Sequence, residues 1–537
     1  MKRYQIKSCW LCGFLFVLLC LCIADMTSCA PKDAPNDSLE NSSKWWEANE
    51  EIQILREYLK IPSVHPNPDY GPCLEFIKRQ ADSLNLPLKI YYPTPAKKPT
   101  IVITLKGSEP HLPSILLNSH MDVVPVFPKN WKYPPFAAEI DDEGRIFARG
   151  SQDMKSLGMA YLAAISRLQK KGFQPKRTIH ILFVPDEEIG SADGMKAFVK
   201  TNDFQALNVG FALDEGHVSN EENFLVFYGE KTIWQPTFRV KGHAGHGSLL
   251  LDNTPGEGFT FILRKLMERR QIEVDKVKKG VPIGNVTSIN LTKISGGIQT
   301  NVIPEEFSAT FDIRLSPEDD HQKFEQELKQ WIEESGAEIE VTFESKEDKI
   351  PVTVLDNSNP FWIAFRDVLT DLNYKFQKQI LSGGTDMRFL RILGIPAIGF
   401  NPMNYTPLLA HDHNEFIYAD KYIKAIDILS KIIVKLTDDQ YSHNHVGDQG
   451  SCPENHMQRH GNIKVEGVIV ANTAREEHGN KNGIIFESNP GWLSSQAMGE
   501  DESFERNEGK LREGDKISGT RVIPGCRSAE GINKKRK

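Results

Sequence analysis

Between its two ends the chain is nearly without cysteine. Five of the eight cysteines (Cys9, Cys12, Cys20, Cys22 and Cys29) lie in the first thirty residues, and Cys452 and Cys526 lie near the C-terminus. Only Cys73 falls in the long middle region, which excludes an internal disulfide and a thiolate-rich zinc site there. That region must rely on its own core, or on metal held by other donors. An excess of basic charge is missing too. Lys and Arg number 64 against 72 Asp and Glu, a formal net charge of -8, whereas a nucleic-acid binder normally shows a basic face. No nucleic-acid partner is expected. The 39% hydrophobic and 25% charged content is that of an ordinary soluble globular protein. At 537 residues the chain is too long for one core, so two or three domains are expected.

The N-terminus carries Lys2, Arg3 and Lys7, then an uncharged apolar run from about Trp10 to Ala24, closed by Asp25. That order reads as a secretory signal peptide over residues 1–24. The run is shorter than the roughly 20 residues that span a bilayer comfortably, although an uncleaved signal anchor has the same pattern. The expected location is therefore the secretory pathway. The alternative is a mis-assigned start on an intracellular enzyme. Residues 25–44, polar and broken by proline, read as a linker.

A folded body opens at Trp45 with the helically spaced stretch WWEANEEIQILREYLKI. Apolar β-rich runs at 101–105, 115–117, 178–184 and 210–213 then alternate with helical patterns, the clearest at 154–171. Such alternation predicts an α/β domain with a mainly parallel sheet covered on both faces. Near Gly229 the texture changes. Residues 236–241 read as a strand, 255–270 as a helix, 285–293 and 306–315 as strands, 317–335 as a helix and 338–343 as a strand. That βαββαβ order suits a small ferredoxin-like α+β module inserted as a lid over 229–350. Residues 351–438 complete the first domain and end in a helix at 420–436. Beyond Thr437 the composition predicts a disordered tail over 439–537.

Four short clusters put metal-binding residue types just after predicted strands, where open α/β sheets bind ligands. ILLNSHMDVVP carries His120 and Asp122, a spacing that suits a ligand and its carboxylate partner but also a surface His beside a turn. ARGSQDMKS places Asp153 at a helix start, where an Asp is very often only a cap. FVPDEEIG ends a strand on Asp186, Glu187 and Glu188. Crowded carboxylates of this kind are costly unless cations or hydrogen bonds compensate, and one can bind metal while the next serves as general base. The bland alternative is an exposed acidic loop. FALDEG supplies Asp214 and Glu215, and a fifth group, LLAHDHNEF, supplies His411, His413 and Glu415. Together, His120, Asp153, Glu188, Glu215 and His411 suffice for two metals if one carboxylate bridges, with open positions of the kind hydrolytic zinc needs.

SHMDVVP, ARGSQDMKS, PDEE, LDEG and HDHNE, in this order and spacing, resemble the M20 family of co-catalytic zinc amidohydrolases. INLTKISGG, NVIP and PMNYTPLLAHDH resemble its aminoacylase branch in particular. The likeness covers about residues 46–436 and spares the leader and the tail. It implies a zinc-peptidase-like catalytic domain with an inserted lid and dimerisation domain, and two zinc ions per subunit. His120, Asp153 and Glu215 would hold one ion, and Asp153, Glu188 and His411 the other. Asp122 would orient His120, and Glu187 would be the general base. His246 in VKGHAGHGS matches a histidine that the family supplies from the lid, commonly across a homodimer, to the oxyanion. Here the chain reads GHGS where the family has GHAS, and His243 is an extra histidine. Asn301 in QTNVIP would lie near the substrate. Arg388 in GGTDMRFLR is the candidate for the substrate carboxylate, since planar bidentate recognition favours Arg. The implied reaction is hydrolysis of a small-molecule N-acyl-L-amino acid. Alternatives are a long-chain N-fatty-acyl-amino-acid hydrolase or synthase, a dipeptidase or carboxypeptidase, and an inactive secreted binding protein. Against the last, every metal and base position holds a competent residue. Sequons at Asn36, Asn41, Asn285, Asn290 and Asn404 would permit glycosylation on the secretory route.

Overall fold

The computed structural model describes residues 44–438 and the backbone of a short strand, Ile469–Val470. The predicted leader, all but the last residue of the linker, and the predicted tail apart from that strand lie outside the described residues. Among the described residues no helix is long and apolar enough to cross a membrane.

The larger body is an eight-stranded sheet. Its centre is the row Ile179–Val184, Ser114–His120, Val209–Asp214 and Ala397–Phe400, each parallel to its neighbour. These strands are short apolar runs because both of their faces are covered. Ile115 and Leu117 join one core with Ile179, Ile181 and Phe183. Leu116 faces the other way, with Leu182, Val184, Phe198 and Leu390. Helices Lys155–Lys170, Ala419–Thr437 and Glu50–Leu59 pack together on the first face. The helix at 155–170 approaches the sheet at Gly158, where a Cβ would come within 2.6 Å of Ser119 Oγ. Only glycine permits that distance, and it sets the helix start directly over the end of the His120 strand.

The second body is an antiparallel sheet ordered Ser288–Gly296, Glu306–Leu315, Thr232–Lys241, Glu338–Lys346, with Ile469–Val470 paired on its edge. Helices Pro255–Lys278 and His321–Ser335 cover one face. Alternation along Thr232–Lys241 puts Trp234, Phe238 and Val240 into that core, as a sheet with one packed face requires. The connectivity is βαββαβ. Several elements run past the sequence expectation: the strand read from Pro236 begins at Thr232, and the helix read to Arg270 continues to Lys278. The stretch from Asn285, read as strand, opens with a 3-10 turn and becomes strand at Ser288.

Candidate metal centre and substrate cleft

His120 closes its strand and Asp122 follows two residues later. Glu187 and Glu188 follow the strand at 179–184, and Glu215 directly follows the one at 209–214. The parallel sheet thus delivers all of these groups to one edge. Asp153 comes from the turn before the helix at 155–170, which has no side-chain cap; its carboxylate is free of the capping role. His411 stands in the loop before the strand Phe416–Tyr418, with φ at 66°.

The side chains converge in two groups whose ligand atoms lie within 4.8 Å of one another, His120–Asp153–Glu215 and Asp153–Glu188–His411. Asp153 belongs to both. Its Oδ1 is 3.0 Å from His120 Nε2 and its Oδ2 is 3.1 Å from His411 Nε2. His120 Nε2 is 3.7 Å from Glu215 Oε2, and His411 Nε2 is 3.0 Å from Glu188 Oε2. Glu188 Oε1 is buried without a hydrogen-bond partner. Two imidazoles and three carboxylates meeting with an orphaned oxygen fit a pair of borderline-hard cations.

The electrostatics point the same way. Burial, then the charge of Glu215, pushes Glu187 well above the usual carboxylate range. Burial and Asp153 do the same to Glu215 and, less strongly, to Glu188. Asp153 is held low against its burial by His120 and His411. Hydrogen bonds to Asp153 and Glu188 raise His411 to about 10. Protons here compensate a charge density that cations would otherwise neutralise.

Asp122 does more than sit beside His120. His120 Nδ1 donates to the Asp122 backbone carbonyl at 2.9 Å, with Oδ1 at 3.6 Å. The Asp122 carboxylate meets His65 Nε2 at 2.8 Å and accepts from the backbone N–H groups of Glu187 (3.2 Å) and Glu188 (3.1 Å). It therefore ties the loop carrying the candidate base to the ligand strand. His65 has no motif signal of its own. Glu415 stood in the HDHNE cluster without an assigned role, and the structure buries it fully. Its Oε2 accepts from Arg149 Nη1 (2.7 Å) and Gly150 N–H (3.2 Å), its Oε1 from the N–H groups of Gln152 (2.6 Å) and Asp153 (3.3 Å). Arg149 Nη2 reaches the His411 carbonyl at 3.3 Å. This pair holds the Asp153 turn and the His411 loop together. Burial, opposed by Arg149, raises the Glu415 carboxyl to about 7.

Asp153, Glu187, Glu188, Glu215 and His411 line a cleft of about 620 Å³ between the two sheets. Arg388 lines it too, buried, with Nη1 donating to the Thr385 carbonyl at 3.0 Å and Nε 3.8 Å from Glu347. Its Nε has no hydrogen-bond partner. The second sheet contributes Ile233, Gln235, Arg314 and Ser345, and Glu347 follows the end of its strand 338–346. His246 and Asn301 are not among the lining residues. They lie beside each other and exposed on the second body, with His246 paired to Val302 and Gly247 N–H donating to the Asn301 carbonyl at 2.8 Å. His243 contacts the Asp252 carbonyl (2.9 Å), and His413 contacts Asn130 (3.0 Å), so neither joins the donor groups.

Two donor groups sharing one carboxylate, at the C-terminal edge of a mainly parallel sheet beneath a second sheet, define a class of hydrolase with a two-ion centre. Residues 116–435 match the model of Peptidase family M20/M25/M40, and the chain belongs to that family. Aminoacylase-1 of Mus musculus is 42% identical over 387 residues, spanning 72% of this chain and 95% of that protein. Aminoacylase-1 of Dictyostelium discoideum is 40% identical over 402 residues, spanning 72% and 98%. Among solved structures, a dinuclear metal-binding M20 peptidase of Bacillus subtilis superposes with a TM-score of 0.54 at 17% identity, covering 73% of this chain and 98% of that one. That likeness concerns the fold.

Proposed function

We propose that the chain hydrolyses N-acyl-L-amino acids to a carboxylate and a free L-amino acid, with two zinc ions as cofactors. The observation that carries this reading is the pair of donor groups sharing Asp153, with Glu187 beside them and Arg388 in the same cleft. His120, Asp153 and Glu215 would hold one ion; Asp153, Glu188 and His411 would hold the other. Zinc suits mixed imidazole and carboxylate ligation without thiolate. When bound, such ions polarise the amide carbonyl and make water acidic enough to attack near neutral pH.

Glu187, beside the donor groups in the cleft, takes the proton of the attacking water as general base. It then passes the proton to the departing amine nitrogen as the C–N bond breaks. Arg388 pairs with the substrate α-carboxylate through its planar guanidinium. His246 and Asn301, exposed on the second body, are read as serving the cleft of a neighbouring subunit in a homodimer, with His246 donating to the oxyanion. Exposed Leu249, Leu250 and Ile298 support an interface on that side. The name shared by the relatives supports acyl amino acids over peptides. The apolar leader supports entry into the secretory route.

The test is release of free amino acid from N-acetyl-methionine and N-oleoyl-phenylalanine by the full-length zinc-loaded protein, beside Glu187→Gln. Turnover of the acetyl substrate, reduced roughly 10²–10⁴-fold in the variant, is the expected result. Turnover of the oleoyl substrate alone moves the assignment to long acyl chains, and turnover of dipeptides alone to a peptidase. A protein that binds no zinc refutes the mechanism.

A further inference from the structure

The turn that presents Glu187 and Glu188 is held in backbone conformations that side chains seldom adopt. Asp186 has φ 62°, Gly190 φ 94° and Ser191 φ 60°. A side chain in that region crowds its own backbone, so the surroundings must impose the shape. Asp122 takes the N–H groups of Glu187 and Glu188, as described above. Ser191 Oγ donates to the buried Asp386.

A third restraint arrives from far away in sequence. The loop between strands Leu88–Tyr91 and Thr100–Leu105 sends Lys98 to the buried carboxylate of Asp186, in a short ion pair with Oδ2. The same ammonium lies 3.2 Å from Asp193 Oδ2, beyond the other end of the turn. Thr94 Oγ1, from the same loop, donates to Asp193 Oδ1 at 2.8 Å. Tyr70 completes the surroundings of Asp186, donating to Oδ1 at 2.7 Å and accepting the Asp186 N–H at 3.0 Å. Lys98 is therefore the one cation seen to touch both flanks of the turn among the described residues. It contacts neither the donor groups nor Glu187.

We propose that Lys98 is a positioning residue, clamping Asp186 to Asp193 and thereby fixing the Glu187 carboxylate relative to the ligand Glu188. This rests on Glu187 acting as base, as read above. Lys98 is partly exposed, so its replacement leaves the core intact. A base displaced by about 1 Å loses on the order of 10²-fold in rate, and a loosened turn that still visits the correct geometry loses less. No contact joins Lys98 to Arg388, so binding of the substrate carboxylate is expected to change less than the rate.

The experiment compares wild type, Lys98→Met, Lys98→Arg and Asp193→Asn as full-length zinc-loaded proteins. Hydrogen exchange of the peptide covering residues 185–194 is measured alongside kcat, KM and metal content. Lys98→Met is expected to exchange faster in that peptide alone, and to lose roughly 10-fold or more in kcat with KM and metal content unchanged. Lys98→Arg restores both readouts most of the way, and Asp193→Asn falls between. Unchanged exchange at 185–194 in Lys98→Met overturns the clamp, whatever substrate the enzyme uses. Faster exchange with unchanged kcat overturns the positioning role, as does a kcat loss that merely tracks lost metal. A wild type inactive on acyl amino acids, with exchange still governed by Lys98, places the error in the assigned reaction and leaves the clamp standing.

Discussion

Replacing Glu415 by Gln should damage the metal centre from behind. The carboxylate is fully buried; Oε2 accepts two hydrogen bonds and Oε1 three, the third from Ser151 Oγ at 3.5 Å. Whichever oxygen becomes an NH2 group then faces at least two N–H donors, either Arg149 and Gly150 or Gln152 and Asp153. Hydrogen bonds to a charged group contribute about 1.5–3 kcal/mol each. A buried ion pair broken on one side costs about 3–5 kcal/mol because the remaining charge is stranded. The lost charged hydrogen bonds are part of that one-sided cost, so Glu415→Gln is expected to lose about 3–5 kcal/mol of stability, measured by denaturant unfolding of the metal-free protein. The measurement belongs at pH 8, above the value of about 7 to which burial raises this carboxyl, where it is ionised. Because Glu415 holds the Asp153 N–H and, through Arg149, the His411 carbonyl, zinc affinity should also drop roughly 10- to 100-fold, as for other partners of metal ligands. Chelator competition reads that directly. Exposed Glu143, paired with Arg145 at 3.0 Å, is the control, and its Gln variant should change stability by less than about 1 kcal/mol. If Glu415→Gln matches that control in stability and binds zinc as tightly as wild type, the assignment of Glu415 as the anchor of the Asp153 turn is refuted.

Three further outcomes follow from the same geometry. His411→Ala should remove one of the two zinc ions while His413→Ala retains both, since only His411 meets Asp153 and Glu188; equal metal content in the two variants contradicts the donor groups. If His246 serves the neighbouring subunit, mixing inactive Glu187→Gln and His246→Ala proteins should restore about a quarter of wild-type activity. Random re-association gives one intact site in each mixed dimer, and a mixture that stays inactive rules the exchange out. His180, buried on the strand at 179–184, is lowered to about 4 by that burial. Its folded value lies below the unfolded 6.5, so the unfolded chain binds more protons, and stability is lost as pH falls from 6.5 towards 4. Of the loss between pH 7 and pH 5, about 2 kcal/mol should belong to His180, and His180→Gln should show a correspondingly flatter pH dependence in metal-free unfolding.

The clustering of the candidate donors was legible in the sequence where the chain marks it locally. His120, Glu188 and Glu215 end or follow apolar runs that read as buried strands, and a parallel sheet sends such ends to one edge. The βαββαβ order of the second body was legible for the same reason, since periodicity is a local property. Element ends were less so: nothing in the local pattern distinguishes a strand beginning at Thr232 from one beginning at Pro236, because the register against Glu306–Leu315 decides it. The tertiary structure alone decided that Asp122 holds the Glu187–Glu188 turn, and that His65, Glu415 and Lys98 stand behind the site. It also separated His246 and Asn301 from the cleft of their own chain. The physical reason is sequence distance. A strand end or a helix face is written in neighbouring residues, whereas Lys98 meets Asp186 and Arg149 meets Glu415 across scores to hundreds of intervening residues, and such contacts exist only once the two cores have packed.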